Sequence, residues 1–340
     1  MVTAETKDHQ PEMYDEPLRI GWIGFHQEGI PALQGLLDSG IVPAAVITLD
    51  EASAAKRSAV VSYADVLKDR EIPLHYVQNI NDASAIDLLR SLRLDLLFVI
   101  GWSQILSAET LATARLGAIG AHASLLPANR GSAPINWSLI RGESVTGNTL
   151  IWLTAAVDEG EVIDQRSIPI TPYDTCATLY ENVAQTNHAM IQSLLPRLIA
   201  GERPGCAQPH SDQPLLPRRR PDDGRVDWTQ SADQIYNFVR ALTRPYPGAF
   251  SFLDGHKYLI QSCALLPEIG QGSMIKQTPG TIVGPMLSPV ADACGVIVGC
   301  GTGYVVLLEL ETTDGRILKG RELSDRAISE QWSGKIWSHE

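Results

Sequence analysis

The stretch Leu116–Gly160 reads LGAIGAHASLLPANRGSAPINWSLIRGESVTGNTLIWLTAAVDEG, and its reading decides the fold. His122 follows a run of small residues and precedes Ser124, Leu125, Leu126 and Pro127; the proline stops the element and leaves the imidazole at the mouth of a loop. Further on, the apolar run Thr149–Ala156 ends in Val157, Asp158, Glu159 and Gly160, so a carboxylate is expected at the C-terminal edge of a strand. In open α/β sheets, ligands bind outside that edge. An imidazole and a carboxylate brought there suffice to hold and move a proton during acyl transfer.

Upstream, the chain alternates strand and helix. Apolar strands are expected at Leu18–Phe25, Val42–Leu49, Pro73–Val77 and Leu94–Gly101, with helices at Ile30–Ser39, Ser62–Arg70 and Ala83–Leu92. This spacing predicts a doubly wound, mainly parallel sheet with right-handed connections. Gly21 and Gly24 do not complete a GxGxxG fingerprint, so NAD is not expected. His26 reads as a turn residue. The loop Gly101, Trp102, Ser103, Gln104, Ile105 and Leu106 follows the fourth strand at the ligand edge; its indole either lines a slot for a flat ring or packs beneath a helix.

Downstream, helices are expected at Pro134–Arg141 and Thr175–Ala200, the latter with Leu179, Val183, Met190, Leu194 and Leu198 on one face. His188 within it reads as a satisfied or surface residue. A segment rich in Pro, Arg, Asp and Gln, 206–225, reads as a linker. After the helix Ser231–Thr243 and the turn Arg244–Gly248, short strand candidates split by glycine (249–253, 257–265, 280–283, 295–298 and 304–310) predict a small β-barrel. The expected organisation is a tail at 1–17, a catalytic domain at 18–205, the linker, and a β-rich domain at 226–340.

Composition fits this picture. The chain has 340 residues, 44% hydrophobic and 19% charged, as in a globular protein large enough for two cores. A net charge of −12 argues against a broad polyanion-binding surface, and the basic trio Arg218–Arg220 reads as solvated linker. The five cysteines show no CxxC pair, so neither a disulfide framework nor a metal site is expected. The N-terminal residues lack the apolar core of a signal peptide, and no apolar run reaches membrane-spanning length. A cytoplasmic protein with a small-molecule partner and no nucleic acid or membrane partner is expected; a homodimer is compatible with these features.

The segments HASLLPANRGSAPINW, TGNT and DEG together resemble the signature of the folate-dependent formyltransferases. DDGRVDW and RALTRPYPGAF resemble the C-terminal domain carried by the methionyl-tRNA and amino-sugar-nucleotide members, the latter being the nearer likeness. The resemblance implies a Rossmann-like catalytic domain, an OB-like C-terminal domain, and 10-formyltetrahydrofolate as cosubstrate without a metal. It places His122 and Asp158 on two of the family's three reacting positions. It assigns the loop Gly101–Leu106, with Ala155, Val157 and Gly160, to the folate, and Ser124, Leu125, Leu126, Pro127, Arg130 and Gly131 to the substrate side. Arg130 is expected to brace the loop more than to touch substrate.

The third reacting position, an Asn in the family, is Gly120 here. Formyl transfer to an amine passes through an oxyanion that needs a preorganised donor, and loss of one such donor typically costs about 2.7–4 kcal/mol. Three readings stay open. The donor is supplied elsewhere, Asn148 being the first candidate, followed by Ser103, Gln104 or a backbone N–H. Alternatively, the extra space serves a different one-carbon or acyl transfer, or hydrolysis of formyltetrahydrofolate. The third is a catalytically silent protein that binds folate or a nucleotide.

Overall fold

The computed structural model describes residues 17–267 and 277–338; the expected tail therefore lies almost wholly outside the described residues. The chain forms two compact units. The first holds the chain up to Arg130, Gly147–Ile168 and Glu181–Pro214; the second holds Gly131–Thr146, Pro169–Tyr180 and the chain from Leu215.

The first unit is built on strands β1 (Ile20–Ile23), β2 (Ala45–Leu49), β3 (Leu74–Val77), β4 (Leu94–Val99), β5 (Ala114–His122), β6 (Val145–Trp152) and β7 (Val162–Pro169), in the sheet order 3-2-1-4-5-6-7. β1 to β5 pair in parallel, whereas β6 is antiparallel to β5. Helices α1 (Ile30–Asp38), α2 (Glu51–Ala54), α3 (Tyr63–Leu67), α4 (Ala83–Leu92) and α5 (Ala108–Leu111) connect the strands. α6 (Pro134–Ile140) belongs to the second unit, and α7 (Cys176–Ile199) passes from the second into the first.

Strand residues alternate between two faces, and both are buried. Trp22, Leu96, Phe98, Ile119, Leu150 and Trp152 join Leu33 and Leu36 of α1 and Met190, Ile191 and Leu194 of α7 in one core layer. Ile23, Ile47, Leu97, Val99 and Ala118 join Ala85 and Leu89 of α4 in the other. This is the doubly wound, mainly parallel α/β sheet that the sequence predicts.

The second unit carries α8 (Ala232–Leu242), β8 (Ala249–Leu253), β9 (His256–Leu265), β10 (Ile282–Met286), β11 (Gly295–Gly299), β12 (Tyr304–Thr312), β13 (Ile317–Lys319) and α9 (Gly320–Ser329). Its antiparallel sheet has the order 10-11-12-9-8, with β13 added on β12. Residues 334–338 join its two edges: Ile282 N–H donates to Lys335 O (2.8 Å), Trp337 N–H to Gly280 O (2.9 Å), and Ser338 and Phe252 exchange backbone bonds (2.9 and 3.2 Å). Trp337 anchors this strap, buried among Trp228, Tyr258 and Trp332.

The segments 131–146 and 169–180, which the sequence places within 18–205, fold with the second unit because their polar groups are satisfied there. Asn136 donates to Ala241 O (2.6 Å), Trp137 to Pro217 O (3.2 Å), and Arg240 to Thr171 O and Asp174 O (2.8 and 2.9 Å). Residues 206–214, the start of the expected linker, belong to the first unit. Cys206 and Val162 exchange backbone hydrogen bonds there (2.8 and 2.9 Å).

Candidate active site

His122 is the last residue of β5 and is buried. One ring nitrogen, Nε2, lies 2.8 Å from the backbone carbonyl of Asn129. A carbonyl only accepts, so Nε2 carries a hydrogen. The other, Nδ1, faces Asp158 Oδ2 at 3.5 Å. The neutral ring therefore presents a lone pair at Nδ1, and the charged ring presents an N–H there beside a carboxylate. Asn129, at φ 56°, adopts the left-handed conformation that Asn tolerates better than most residues, and this turns its carbonyl onto the ring.

The loop after His122 is held by side chains from the neighbouring strands. Leu126 N–H donates to Thr149 Oγ1 (3.2 Å), and Thr149 Oγ1 donates to Ser124 O (2.6 Å). Gln165 Nε2 donates to Leu126 O and Thr149 Oγ1 (3.0 and 2.9 Å), and Ser124 Oγ to Ala128 O (2.7 Å). Ser124 and Leu126 are buried, Leu125 fills the space over Gly147, and the Leu126–Pro127 peptide is cis. Gly131, in the second unit, pairs with Leu216.

Asp158 follows the C-terminal end of β6, as the sequence suggests, but β6 is not one of the parallel strands. β6 runs against β5, with His122 opposite Thr149 and Ile119 opposite Trp152, so β6 ends level with the middle of β5. The loop 153–161 then turns back towards His122. Leu153 N–H donates to Ala118 O (2.7 Å), and Trp152 N–H to Glu161 O (3.0 Å). A Cβ on Gly160 would lie 1.6 Å from Trp152 O, so only glycine closes the turn. Asp158 itself has φ 55°. Gln208 Nε2 donates to both Asp158 O and Gly160 O, each at 2.8 Å. Ala155 is exposed and Val157 half-buried in this loop.

Arg130 bridges three segments. Its guanidinium bonds Glu159 Oε1 at 2.5 Å and Ser211 O at 2.9 Å, which ties the His122 loop to the Asp158 turn. This is a bracing role.

Asn148 is not the missing donor. Residues opposite each other on paired antiparallel strands share a face, so Thr149 faces the same way as His122 and Asn148 faces the other way. Its amide is fully buried against α7 and donates to Asn187 Oδ1 (2.6 Å), Thr186 Oγ1 (3.0 Å) and Val183 O (3.3 Å). Asn187 in turn donates to Glu28 O (3.3 Å), so the pair ties β6 through α7 to the turn after β1. Gln104 is likewise committed, accepting from Ile80 N–H (2.8 Å) and donating to Gln78 O (2.7 Å).

Gly120 shares its face with His122, and Leu153 occupies the space beside it. A Cβ on Gly120 would meet Leu153 Cδ2 at 2.7 Å. Leu153 and Trp102 both pack against the core layer that contains Ala118 and Leu106. Trp102 also meets Phe25 edge-on (5.7 Å between centroids), while its indole nitrogen is buried without a hydrogen-bond partner among the described residues. Gly101 O accepts from Phe25 N–H and His26 N–H (3.1 and 3.2 Å), and Ser103 and Ile105 are exposed. His26 caps the following turn by accepting from Glu28 N–H (3.3 Å).

Among the described residues, no group of three His, Cys, Asp or Glu is placed to hold a metal, and no helix is long and apolar enough to cross a membrane.

Known proteins place this arrangement in context. HypX from Aquifex aeolicus in complex with tetrahydrofolic acid shares the fold over 92% of this chain and 47% of its own, at 18% identity and a TM-score of 0.58. The chain thus spans about half the length of HypX. The N-formyltransferase from Helicobacter canadensis, in complex with folinic acid and dTDP-3-aminofucose, matches over 86% of this chain and 99% of its own (16% identity, TM-score 0.62). WlaRD, a sugar 3N-formyltransferase seen with dTDP and 5-N-formyl-THF, matches over 88% and 99% (17% identity, TM-score 0.60). The formyl transferase model matches residues 41–195 and the formyl transferase C-terminal domain model residues 219–327, so the chain belongs to the formyl transferase family.

Proposed function

We propose that this protein transfers the formyl group of 10-formyltetrahydrofolate to a primary amine of a small molecule, with an amino-sugar nucleotide as the acceptor class. The observation that carries the reading is the buried His122, its Nε2 committed to Asn129 and its Nδ1 left facing Asp158. Family membership supports the reaction type. The folate ligands of the HypX and Helicobacter canadensis structures, and the amino-sugar nucleotide of the latter, support the donor and acceptor. The net charge of −12 disfavours tRNA as acceptor.

In this reading, protonated His122 offers Nδ1–H to the oxyanion that forms as the amine attacks the formyl carbon. Asp158 balances the imidazolium and takes part in removing the amine proton; as the tetrahedral intermediate collapses, the bond from the formyl carbon to the folate N10 breaks and N10 takes up a proton, releasing tetrahydrofolate and the formylated amine. Leu153 beside Gly120 leaves no side-chain donor at that position, so the oxyanion rests on His122 and backbone N–H groups. The folate ring lies against the loop 101–106, through backbone groups and the exposed Ser103 and Ile105, and against Ala155, Val157 and Gly160. The acceptor lies on the side of Ser124–Pro127.

The test is tetrahydrofolate release from 10-formyltetrahydrofolate, with and without dTDP-amino sugars. Turnover that requires the amine is the expected result. Turnover without amine would make the protein a hydrolase, and folate binding without turnover would make it a silent binder. 5-Formyltetrahydrofolate should raise the melting temperature by mass action, and NAD should not.

A further inference from the structure

We infer that Gln208 is a positioning residue for Asp158 and that the segment Cys206–Ser211 is part of the catalytic apparatus, an inference that rests on the proposed formyl transfer. Asp158 stands on a turn with little ladder support. Its backbone is left-handed at φ 55°, and the chain around it has turned back from the end of β6. Asp tolerates that conformation better than most residues, so the position of Asp158 is set by what holds the turn around it.

Three contacts from one segment do so. Cys206 exchanges backbone hydrogen bonds with Val162, which sets the register of the segment against the start of β7. Two residues later, the Gln208 amide spans the turn from Asp158 O to Gly160 O, with both donors used at 2.8 Å. The opposite orientation of the amide would set an oxygen against two carbonyl oxygens, so these contacts fix the assignment. Three residues further on, Ser211 O receives Arg130, whose other contact is Glu159, the neighbour of Asp158. The turn is therefore held from both sides by one segment, through the backbone carbonyls of Asp158 and Gly160 and through Arg130. Its effect on the reaction passes through the 3.5 Å separation of His122 Nδ1 and Asp158 Oδ2.

The decisive comparison is wild type against Gln208→Leu, which keeps bulk and loses both donors, with Gln208→Glu as the isosteric variant that replaces the donating nitrogen by an oxygen. Displacement of a reacting group by about an ångström costs up to roughly a hundredfold in rate. Both variants should therefore lower kcat by about tenfold or more while the KM for folate and for amine stays within about threefold. Amide hydrogens of residues 157–160 should exchange faster in both variants, a readout that needs no turnover. Exchange unchanged in both variants would overturn the inference even if the wild type proves inactive. So would faster exchange accompanied by full kcat in an active enzyme, or a kcat deficit that merely follows loss of folded protein. Arg197→Ala, which removes an exposed ion pair with Glu202 just ahead of the segment, should leave kcat unchanged and serves as the control for general loosening. If His122→Ala retains full activity, the parent reading fails; if His122→Ala is inactive and Gln208→Leu is not, only the present inference fails.

Discussion

His122 and Asp158 reach the same place by different means. His122 is the last residue of a strand paired on both sides, with Gly120 facing Val99 on β4 and Ile151 on β6, so the sheet ladder fixes its backbone. Asp158 belongs to an irregular loop whose fixed points are a glycine wedged against Trp152 O and the side chains of Arg130 and Gln208. A ladder position is maintained by many equivalent bonds, whereas a strapped turn depends on a few individual ones. The imidazole should therefore tolerate change around it, and the carboxylate should not.

The largest effect tests the pair itself. His122→Ala and Asp158→Ala should each reduce turnover by about a hundredfold or more, with melting temperatures close to wild type. Retained turnover in either folded variant would remove the pair from the mechanism.

Gly160→Ala comes next and should act on Asp158 alone. The added methyl group cannot coexist with Trp152 O at 1.6 Å, so the turn must open, and activity should fall by about tenfold to a hundredfold while the parallel strands keep their amide protection. Uniform loss of protection would mean that the turn and the sheet are one cooperative unit.

Neighbouring residues of β6 separate stability from function. Thr149→Val removes the hydroxyl that holds Leu126 and Ser124, and should lower kcat by about tenfold per folded molecule in addition to costing about 1–3 kcal/mol of stability. Asn148→Val leaves the buried Asn187 Oδ1 without its Asn148 donor, and should cost about 1–3 kcal/mol of stability while activity per folded molecule persists. If Asn148→Val instead abolishes turnover in folded protein, Asn148 acts on the substrate after all.

The smallest effect concerns Gly120. Gly120→Asn alone should push Leu153 from its seat and cost about 1–3 kcal/mol. Combined with Leu153→Ala, the amide gains room beside His122, and the double variant should turn over faster than Gly120→Asn alone. Equal rates would show that Leu153 does not govern this position.

Much of this was legible in the sequence, and the exceptions have physical causes. The helix 83–92 and the buried strands at 45–49 and 94–99 carry continuous or periodic apolar signals. β7, VIDQRSIP, is largely exposed, and α9, GRELSDRAIS, buries few side chains, so neither announces itself by periodicity. His122 and Asp158 stand in local motifs, and the fold brings their side chains to 3.5 Å of each other. The identity of Asn148 suits a substitute donor, whereas its side-chain direction follows from the antiparallel register of β6, which local sequence does not encode. Gln208 lies in a stretch of Pro, Gln and Arg that reads as linker, and nothing nearby in sequence points to a turn 50 residues earlier.

The strap at 334–338 bears on how the second unit behaves outside its fold. An antiparallel sheet ordered 10-11-12-9-8 would present β8 and β10 as two unpaired borders, each a template for another chain. Five residues pinned by Trp337 occupy parts of both at once. Removing them would unsatisfy backbone groups at two borders simultaneously, so a chain cut before Gly334 should self-associate before it loses its catalytic unit.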